Sequence, residues 1–162
     1  MPALSETFDA IVGDFEYPMF IVTTAVDGER LGCLVGFATQ ASIDPPRFVV
    51  CLSHNNRTYR HGRDAGWLAV HAVPAEAEAL AELFGGETED DVDKFERCAW
   101  HEGPHGMPLL DECGNWFVGR VLERVDAGDH DAFLLEPVAA EAEPQADFTF
   151  HRAKRIDPGH GA

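Results

Sequence analysis

Short apolar runs separated by turn-forming residues dominate this chain and predict strands. The runs are rich in aromatic and β-branched residues, and an Asp27-Gly28 pair after the first run marks a hairpin turn. A second hairpin connection is predicted at 126–130, between the two longest runs. The predicted strands cover residues 17–25, 31–41, 47–52 (a central strand), 67–73, 116–125 and 131–140, with an edge strand at 148–150.

Helical spacing is limited to three short stretches. Residues 4–13 have an amphipathic pattern, residues 57–63 follow a polar loop, and residues 75–84 form the clearest helix, which ends at Gly85-Gly86. Many strands with turn signals and few helices predict a mainly β fold. We expect a barrel decorated by a few peripheral helices.

The length of the chain suits one domain. A core of 162 residues buries about two thirds of the surface that the unfolded chain would expose. There is no internal repeat and no linker, so a single domain over 1–162 is expected. Residues 87–93 are predicted to form an acidic surface loop, and residues 156–162 a frayed end.

Charge narrows the classes of partner. Lys and Arg number 12 against 29 Asp and Glu, which gives a net charge of -17. This field repels phosphate backbones and anionic lipids, so neither a nucleic acid nor a membrane is an expected partner. Any phosphate site must therefore be locally basic, and an arginine cluster near a suitable loop is formed by Arg57, Arg60 and Arg63.

The cysteines predict a reducing compartment. Cys33, Cys51, Cys98 and Cys113 are scattered without a C-x-x-C pair, so they are interpreted as reduced thiols in the core. The N-terminal residues lack the pattern of a signal peptide, and no apolar run approaches the length of a membrane span. We therefore expect a cytoplasmic protein.

One segment has the pattern of a binding slot. A planar ring can approach a backbone where side chains are small, and Gly36 and Ala38 supply that gap on a strand that continues to a rigid Asp-Pro-Pro corner. We expect this strand to form one wall of a slot for a flat ligand, with contributions from Gly36, Phe37, Ala38, Thr39 and Gln40.

A polar loop opens the next helix and predicts an anion site. Ser53 begins the loop, Asn55 or Asn56 is the expected N-cap, and the first amides of the helix lack partners within it. Arg57 adds a cation that can bind phosphate in a fork, and Thr58 adds a hydroxyl. The slot and this anion site together suit a flat ligand that carries a phosphate.

In the order of these motifs, the chain resembles the flavin reductase-like, FMN-binding split-barrel family. The resemblance covers about residues 8–152 and rests on the segments 17–24, 42–46, 57–58 and 127–130, with Lys94-Phe95, Trp100 and 106–111 between them. It implies a split β-barrel of Greek-key type that binds FMN, or FAD, and uses NAD(P)H as substrate. It also implies a homodimer and a partner oxygenase that receives the reduced flavin.

The resemblance gives roles to further residues. The matching histidine of the family, His130 here, lies beside the flavin and the nicotinamide, and Lys94-Phe95 matches a segment that covers the substrate side of the flavin. Taken alone, His130 could be a turn residue and Phe95 a core anchor. Many relatives have two serines and Phe where this chain has Gly36-Phe37-Ala38, so hydroxyl contacts to the flavin are missing.

The residues, taken together with the resemblance, leave three functional interpretations open. The first is an NAD(P)H-dependent flavin reductase, the second a non-catalytic FMN-binding redox or sensing module, and the third a barrel without flavin. The loss of the serine pair motivates the second. A metal site is not expected, since His101 and His105 lie in a Gly/Pro-rich loop, and neither a G-x-S-x-G elbow nor a G-x-G-x-x-G motif occurs.

Overall fold

A seven-stranded antiparallel sheet forms the centre of the protein. The structure is a computed structural model and describes residues 1–86 and 92–157. The strands of the sheet are β1 (Phe20–Val26), β2 (Glu29–Val35), β3 (Ala38–Ser42), β4 (Arg47–Ser53), β5 (Trp67–Ala72), β8 (Trp116–Asp126) and β9 (His130–Glu141). A separate hairpin pairs β6 (Trp100–Glu102) with β7 (Pro108–Leu110).

The order of the strands explains why the sheet curls. The order is β2-β1-β5-β8-β9-β4-β3, so β2 and β3 are at opposite edges although only Gly36 and Phe37 separate them in the chain. The link from Val35 to Ala38 can span about 11 Å at most. The two edges must therefore lie close together, which gives the open, barrel-like sheet and confirms the mainly β prediction.

The same link corrects one predicted strand. Residues 31–41 form two strands rather than one, because β2 pairs with β1 whereas β3 pairs with β4. The chain changes partners at Gly36-Phe37. The hairpin turn between β1 and β2 is confirmed, with φ values of 52° at Asp27 and 80° at Gly28, the positive angles that such a turn requires.

Three apolar clusters form the core of the described residues, and the two larger ones are called here the inner and the outer cluster. The inner cluster joins residues of strands that are far apart in sequence: Val22, Cys33, Val35, Val50, Leu52, Leu68, Val70, Phe133 and Leu135. The outer cluster packs the helix Glu78–Gly86 against β2, where Gly32 makes room for Phe84. Its buried members are Met19, Ile21, Val73, Ala77, Leu80, Ala81, Phe84, Phe95, Leu110, Cys113 and Phe148. A Cβ atom at position 32 would lie 2.7 Å from the Phe84 ring, so a side chain there would require Phe84 or the strand to shift.

His71 ties the sheet to the β6–β7 hairpin. It is fully buried, and its Nδ1 lies 2.9 Å from the Ile21 carbonyl oxygen while its Nε2 accepts a hydrogen bond of 3.1 Å from the Leu110 amide. The ring is therefore neutral with its proton on Nδ1. Burial lowers the pKa of His71 to about 4, and the hydrogen bond to Ile21 opposes this only in part.

The helices are short and peripheral, and some differ from the prediction. They are α1 (Leu4–Gly13), α2 (Arg57–Gly62), α3 (Glu78–Gly86) and α4 (Phe150–Ala153). α3 begins three residues later than expected because Pro74 forms a β-bridge with Asp147. The predicted edge strand at 148–150 is wrong beyond one bridge at Thr149, since α4 begins at Phe150.

The two terminal predictions fall partly outside the described residues. Most of the acidic stretch 87–93 is not described, and neither are residues 158–162. Within the described part, Ile156 packs against the outer cluster, so fraying does not begin there. No helix in the ranges 1–86 and 92–157 is both long and apolar enough to cross a membrane.

Candidate functional site

A cleft of about 560 Å³ opens where the chain leaves β2 and β4. This cleft is the space lined by residues 33–37, 51–53, 56 and 129–130, by Met19 and Gly85, and by four C-terminal residues, Phe150, Ala153, Lys154 and Ile156. One wall is apolar, with side chains such as Leu34 and Ile156. The polar part of the lining, here called the polar wall, comes from Ser53, Asn56, Asp129 and His130. A mostly apolar cavity with a few polar groups is typical of a site for a small ligand.

Five of the predicted site residues meet at the cleft. They come from distant parts of the chain: Gly36, Phe37, Ser53, Asn56 and His130. Pairing between β4 and β9 places Ser53 directly opposite His130, which brings the polar loop and the hairpin together. The sheet therefore assembles a site that no single segment contains.

Ser53 and Asn56 supply hydrogen-bond donors to the polar wall. Asn56 is the N-cap of α2, and its side-chain oxygen accepts a hydrogen bond of 2.7 Å from the Thr58 amide. This bond orients the side chain and leaves the amide group of Asn56 as a donor. The Ser53 hydroxyl oxygen lies 3.3 Å from the Asn55 amide, which donates to it, so the hydroxyl proton can point elsewhere.

His130 faces the cleft with one ring nitrogen already engaged. Its Nδ1 lies 2.7 Å from a carboxylate oxygen of Asp129, while its ring centroid is 5.0 Å from that of Phe37. The hydrogen bond to His130 holds the pKa of Asp129 below its ordinary value. This carboxylate fixes the proton of a neutral His130 on Nδ1, so Nε2 is the nitrogen that can serve a ligand.

Phe37 presents an aromatic surface to the same space. Its side chain is 57% exposed, which is unusual for a phenylalanine next to a barrel core. Gly36, by contrast, is small for a packing reason. A Cβ atom there would lie 3.0 Å from the Tyr17 ring and 3.2 Å from the sulfur of Met19. The glycine therefore serves the fold as well as the cleft.

Other predicted residues of the slot strand lie outside the cleft. Ala38 packs against the inner cluster, and the exposed side chains of Thr39 and Gln40 form local bonds to nearby backbone. These residues do not line the cleft because the chain crosses from one edge of the sheet to the other at Gly36-Phe37, so that β3 runs away from the cleft. Asn55 and Thr58 are also outside it.

Arg57 points away from the cleft. Its guanidinium group forms an ion pair with Glu29, and it lines a smaller cavity together with Gly28, Arg30 and Asp93. Arg57 is thus the first residue of α2, as predicted, but its guanidinium group lies against the carboxylate of Glu29 on β2. Sequence reasoning missed this pair because Glu29 is 28 positions away.

Lys94 and Phe95 lie in the core and do not line the cleft. Both are 3% exposed. The Lys94 ammonium group donates to the carbonyl oxygens of Gly32 at 3.2 Å and Phe84 at 3.1 Å. The Phe95 ring packs edge-on against Phe84, as the interpretation as a core anchor expected.

A polar cluster behind the cleft was not identified from the sequence. The Asp131 carboxylate accepts hydrogen bonds from His54 Nε2 at 2.8 Å and from the Tyr59 hydroxyl at 3.0 Å, and Arg124 Nε lies 3.4 Å away. The one available signal was a charged residue at the start of an apolar strand. His54, Asp126 and Asp131 also bring their ligand atoms within 4.8 Å of one another.

The cysteines behave as small apolar groups. Cys33 and Cys51 line the cleft, and burial raises the pKa of Cys51. Burial, aided by nearby carboxylates, raises the pKa of Cys98 to about 11 and that of Cys113 to about 12. Raised pKa values keep Cys51, Cys98 and Cys113 protonated near neutral pH, so these three thiols are not candidate nucleophiles.

The family model described as flavin reductase like domain matches residues 12–157. The chain belongs to this flavin reductase-like family. The match covers the strands and all the elements that line the cleft, from β1 to α4. The resemblance noted in the sequence is therefore confirmed over nearly the whole chain.

Relatives in sequence support the same assignment. The FMN reductase (NADH) RutF of Bradyrhizobium diazoefficiens is 30% identical over 121 residues, which cover 75% of this chain and 67% of that protein. The reductase component of 4-nitrophenol 4-monooxygenase/4-nitrocatechol 2-monooxygenase from Rhodococcus opacus is 29% identical over 147 residues, 91% of this chain and 77% of that protein. The chain thus spans about two thirds of the RutF protein.

The fold of the family is also found in solved structures. A flavin reductase domain protein from Arthrobacter sp. FB24 matches with a TM-score of 0.83 at 20% identity, and the match covers 92% of each chain. At this level of identity the likeness concerns the fold. It agrees with the open, barrel-like sheet of this flavin reductase-like domain.

The cleft fits the flavin that the family implies. Its volume lies within the range of about 300 to 1,000 Å³ that is usual for small-molecule sites. The apolar wall suits a tricyclic ring, and the donors of Asn56 and Ser53 suit the carbonyl and nitrogen edge of that ring. The flavin reductase-like domain therefore has the donor set and the space that this group needs.

Proposed function

We propose that this chain is an NADH-dependent flavin reductase that binds FMN, or FAD, in the cleft. The observation that carries the proposal is the meeting of Ser53, Asn56 and His130 at one apolar cleft beside Phe37. Relatives whose names state FMN reductase (NADH) support both the flavin and the nucleotide. The residues proposed for binding are Gly36, Phe37, Ser53 and Asn56, with His130 at the nicotinamide face.

Each of these residues has a distinct task in the proposal. The bound flavin supplies the hydride acceptor for the reduced nicotinamide, and the protein supplies position and polarity. Asn56 and Ser53 donate hydrogen bonds to the polar edge of the ring. His130 offers Nε2 to the nicotinamide carboxamide, while Asp129 holds its ring in place.

We propose Arg57 as the residue that binds the phosphate of the flavin. A phosphate on the flavin would compete with Glu29 for the guanidinium group, and Arg57 follows the cleft residue Asn56 directly. Lys154 is the alternative cation, because it lines the C-terminal wall of the cleft and donates to the Gly13 carbonyl oxygen at 2.7 Å. A dianion in a chain of net charge -17 needs such a partner.

A homodimer is part of the proposal. The apolar face of α1 supports it, since Leu4 is 86% exposed, Phe8 59% and Ile11 54%, and none of the ten residues of this helix is buried. An exposed apolar face of this kind is typical of a surface that another chain covers. We assign that role to a second copy of this chain.

The setting of the reductase is proposed on similar grounds. A relative named as the reductase component of a monooxygenase supports a partner oxygenase that uses the reduced flavin. The free thiols support a cytoplasmic location. We also propose that residues 1–162 form one such domain.

The second candidate function is a flavin-binding module without nicotinamide turnover. The observation that favours it is Phe37, which presents an exposed ring where many relatives have a serine hydroxyl. Both functions require FMN binding, and they differ in the reaction with NADH.

Steady-state oxidation of NADH with added FMN tests the proposal. We expect FMN-dependent turnover by the wild type and a large loss in an Asn56→Ala variant, which removes a donor to the ring. A Glu136→Gln variant, altered at a surface ion pair with Arg120, is the matched control. Binding of FMN without turnover would favour the module, and absence of binding would exclude both functions.

A further inference from the structure

Asp131 is a nearly buried charge immediately beside the cleft. It is 6% exposed, and no part of the proposed chemistry uses it. An ionised carboxylate that leaves water is costly unless hydrogen bonds compensate it. The groups around Asp131 should therefore show which hydrogen bonds stabilise the carboxylate and which elements it connects.

The donors to Asp131 come from three separate elements. His54 lies in the loop after β4, Tyr59 in α2 and Arg124 in β8, at 2.8, 3.0 and 3.4 Å from the carboxylate oxygens. The His54 and Tyr59 rings also pack together, with centroids 4.7 Å apart. One carboxylate thus connects the loop, the helix and two strands.

The same elements position the polar wall of the cleft. His54 follows Ser53, Tyr59 belongs to the helix that Asn56 caps, and Asp131 follows His130. Side chains alternate along a strand, so His130 faces the cleft while Asp131 faces the cluster behind it. Each contact of Asp131 with the loop and with α2 is therefore close in sequence to a residue that lines the cleft.

We propose that Asp131 is a positioning residue of the reductase, which holds the loop 53–57 against the start of β9 and so keeps Ser53 and Asn56 aligned with His130. The proposal rests on the proposed function for the identity of the ligand. It goes beyond that function because it gives a role to a side chain that does not touch the ligand.

A metal is a weaker explanation for the cluster. His54, Asp126 and Asp131 lie close enough to share an ion. However, Arg124 places a positive charge beside the same carboxylate, and both oxygens of Asp131 already accept hydrogen bonds. Although burial opposes ionisation, the donors His54 and Tyr59 and the charge of Arg124 hold the pKa of Asp131 below its ordinary value, without any ion.

The first test measures FMN affinity by quenching of flavin fluorescence. Asp131→Ala should weaken FMN binding by about tenfold, the effect of losing charge-assisted hydrogen bonds, while kcat at saturating FMN and NADH changes by less than about threefold. Asp131→Asn keeps the shape and one acceptor, so it should restore most of the affinity. Glu136→Gln, on the same strand and in surface ion pairs with Arg47 and Arg120, is the control and should bind FMN normally.

The second test does not depend on flavin. Hydrogen exchange of the protein without FMN should show faster exchange for the amides of residues 54–57 in Asp131→Ala and in Tyr59→Phe, little change in Asp131→Asn, and β1 and β5 unchanged in all three. Tyr59→Phe removes one hydrogen bond and keeps the ring, so it serves if Asp131→Ala fails to fold. Slower or equal exchange in this loop would overturn the proposal even if the wild type binds no flavin.

Two further outcomes would also overturn it. One is FMN affinity of a folded Asp131→Ala variant within twofold of wild type. The other is a loss of affinity that Zn²⁺ or Mg²⁺ restores in the wild type after chelation, which would assign the cluster to a metal. The first of these outcomes, combined with a loss of thermal stability and unchanged loop exchange, would reduce Asp131 to a structural residue.

Discussion

His130 lies at the junction of the hairpin, the polar loop and the Phe37 surface. Its two ring nitrogens have different environments, because Nδ1 contacts Asp129 and Nε2 has no hydrogen-bond partner among the described residues. An imidazole held in this way can orient a ligand without exchanging a proton. In the proposed function, this arrangement separates the residue placed at the nicotinamide face from the residues proposed to bind the flavin.

The first prediction follows from that separation. His130→Ala should slow the reduction of bound flavin by NADH by at least tenfold, whereas FMN affinity should change by less than threefold, because Ser53 and Asn56 remain. Stopped-flow reduction and fluorescence titration measure the two quantities. An undiminished rate would make His130 a turn residue only.

The second prediction concerns the phosphate. Arg57→Ala should weaken FMN binding by about 1.5 to 3 kcal/mol, the contribution of a charge-assisted hydrogen bond. Riboflavin, which lacks the phosphate, should bind wild type and variant alike. Lys154→Ala is the matched comparison, and a loss confined to that variant would place the phosphate at the C-terminal wall instead.

At the scale of secondary-structure elements, the hydrogen bonds of His71 to β1 and β7 predict how stability depends on pH. A histidine whose pKa falls from 6.5 to about 4 on folding binds fewer protons in the native state than in the unfolded state. The contribution of His71 to the free energy of unfolding is therefore fully present above about pH 6.5 and is lost as the pH falls towards 4. The β6–β7 hairpin should loosen first, since His71 holds the Leu110 amide.

The third prediction is the size of this effect. Between pH 7 and pH 4, the wild type should lose about 3 kcal/mol more of its free energy of unfolding than His71→Leu, which cannot titrate. Urea unfolding at both pH values measures the difference. Equal losses in the two proteins would contradict a neutral, doubly bonded His71.

Elements with strong local patterns were predictable from the sequence, and those that depend on closure of the sheet were not. The β1–β2 hairpin and α2 follow from turn and cap residues, which act over a few positions. The division of 31–41 into β2 and β3 depends on pairing with β1 and β4, which periodicity does not contain. For the same reason, the sequence identified Ser53 and His130 as separate candidates but not their pairing across β4 and β9, and it did not reveal the hydrogen bonds of Asp131.

The whole molecule combines a strongly negative charge with an exposed apolar helix face. Net charge keeps copies apart in general, so association requires a specific apolar surface. Besides Phe8 and Ile11 on α1, Phe15 is 54% exposed. Because Lys154 joins the end of α1 to the cleft wall, a contact on this helix would also restrain that wall.

The fourth prediction tests this surface. Phe8→Glu with Ile11→Glu should convert a dimer into a monomer, since the charges repel across an apolar contact, and should leave the circular dichroism spectrum unchanged. Light scattering after size exclusion measures the mass. Glu6→Gln on the same helix is the control, and a monomeric wild type would contradict the proposed homodimer.

The central claim is that the cleft binds flavin and presents it to NADH. Its most direct test is an absorbance spectrum of the FMN-loaded protein, recorded without oxygen before and after NADH is added. We predict that the visible flavin band is present at first and bleaches within seconds in the wild type, and much more slowly in His130→Ala. A wild-type spectrum in which the bound flavin stays oxidised, or in which no flavin is retained, would contradict the account.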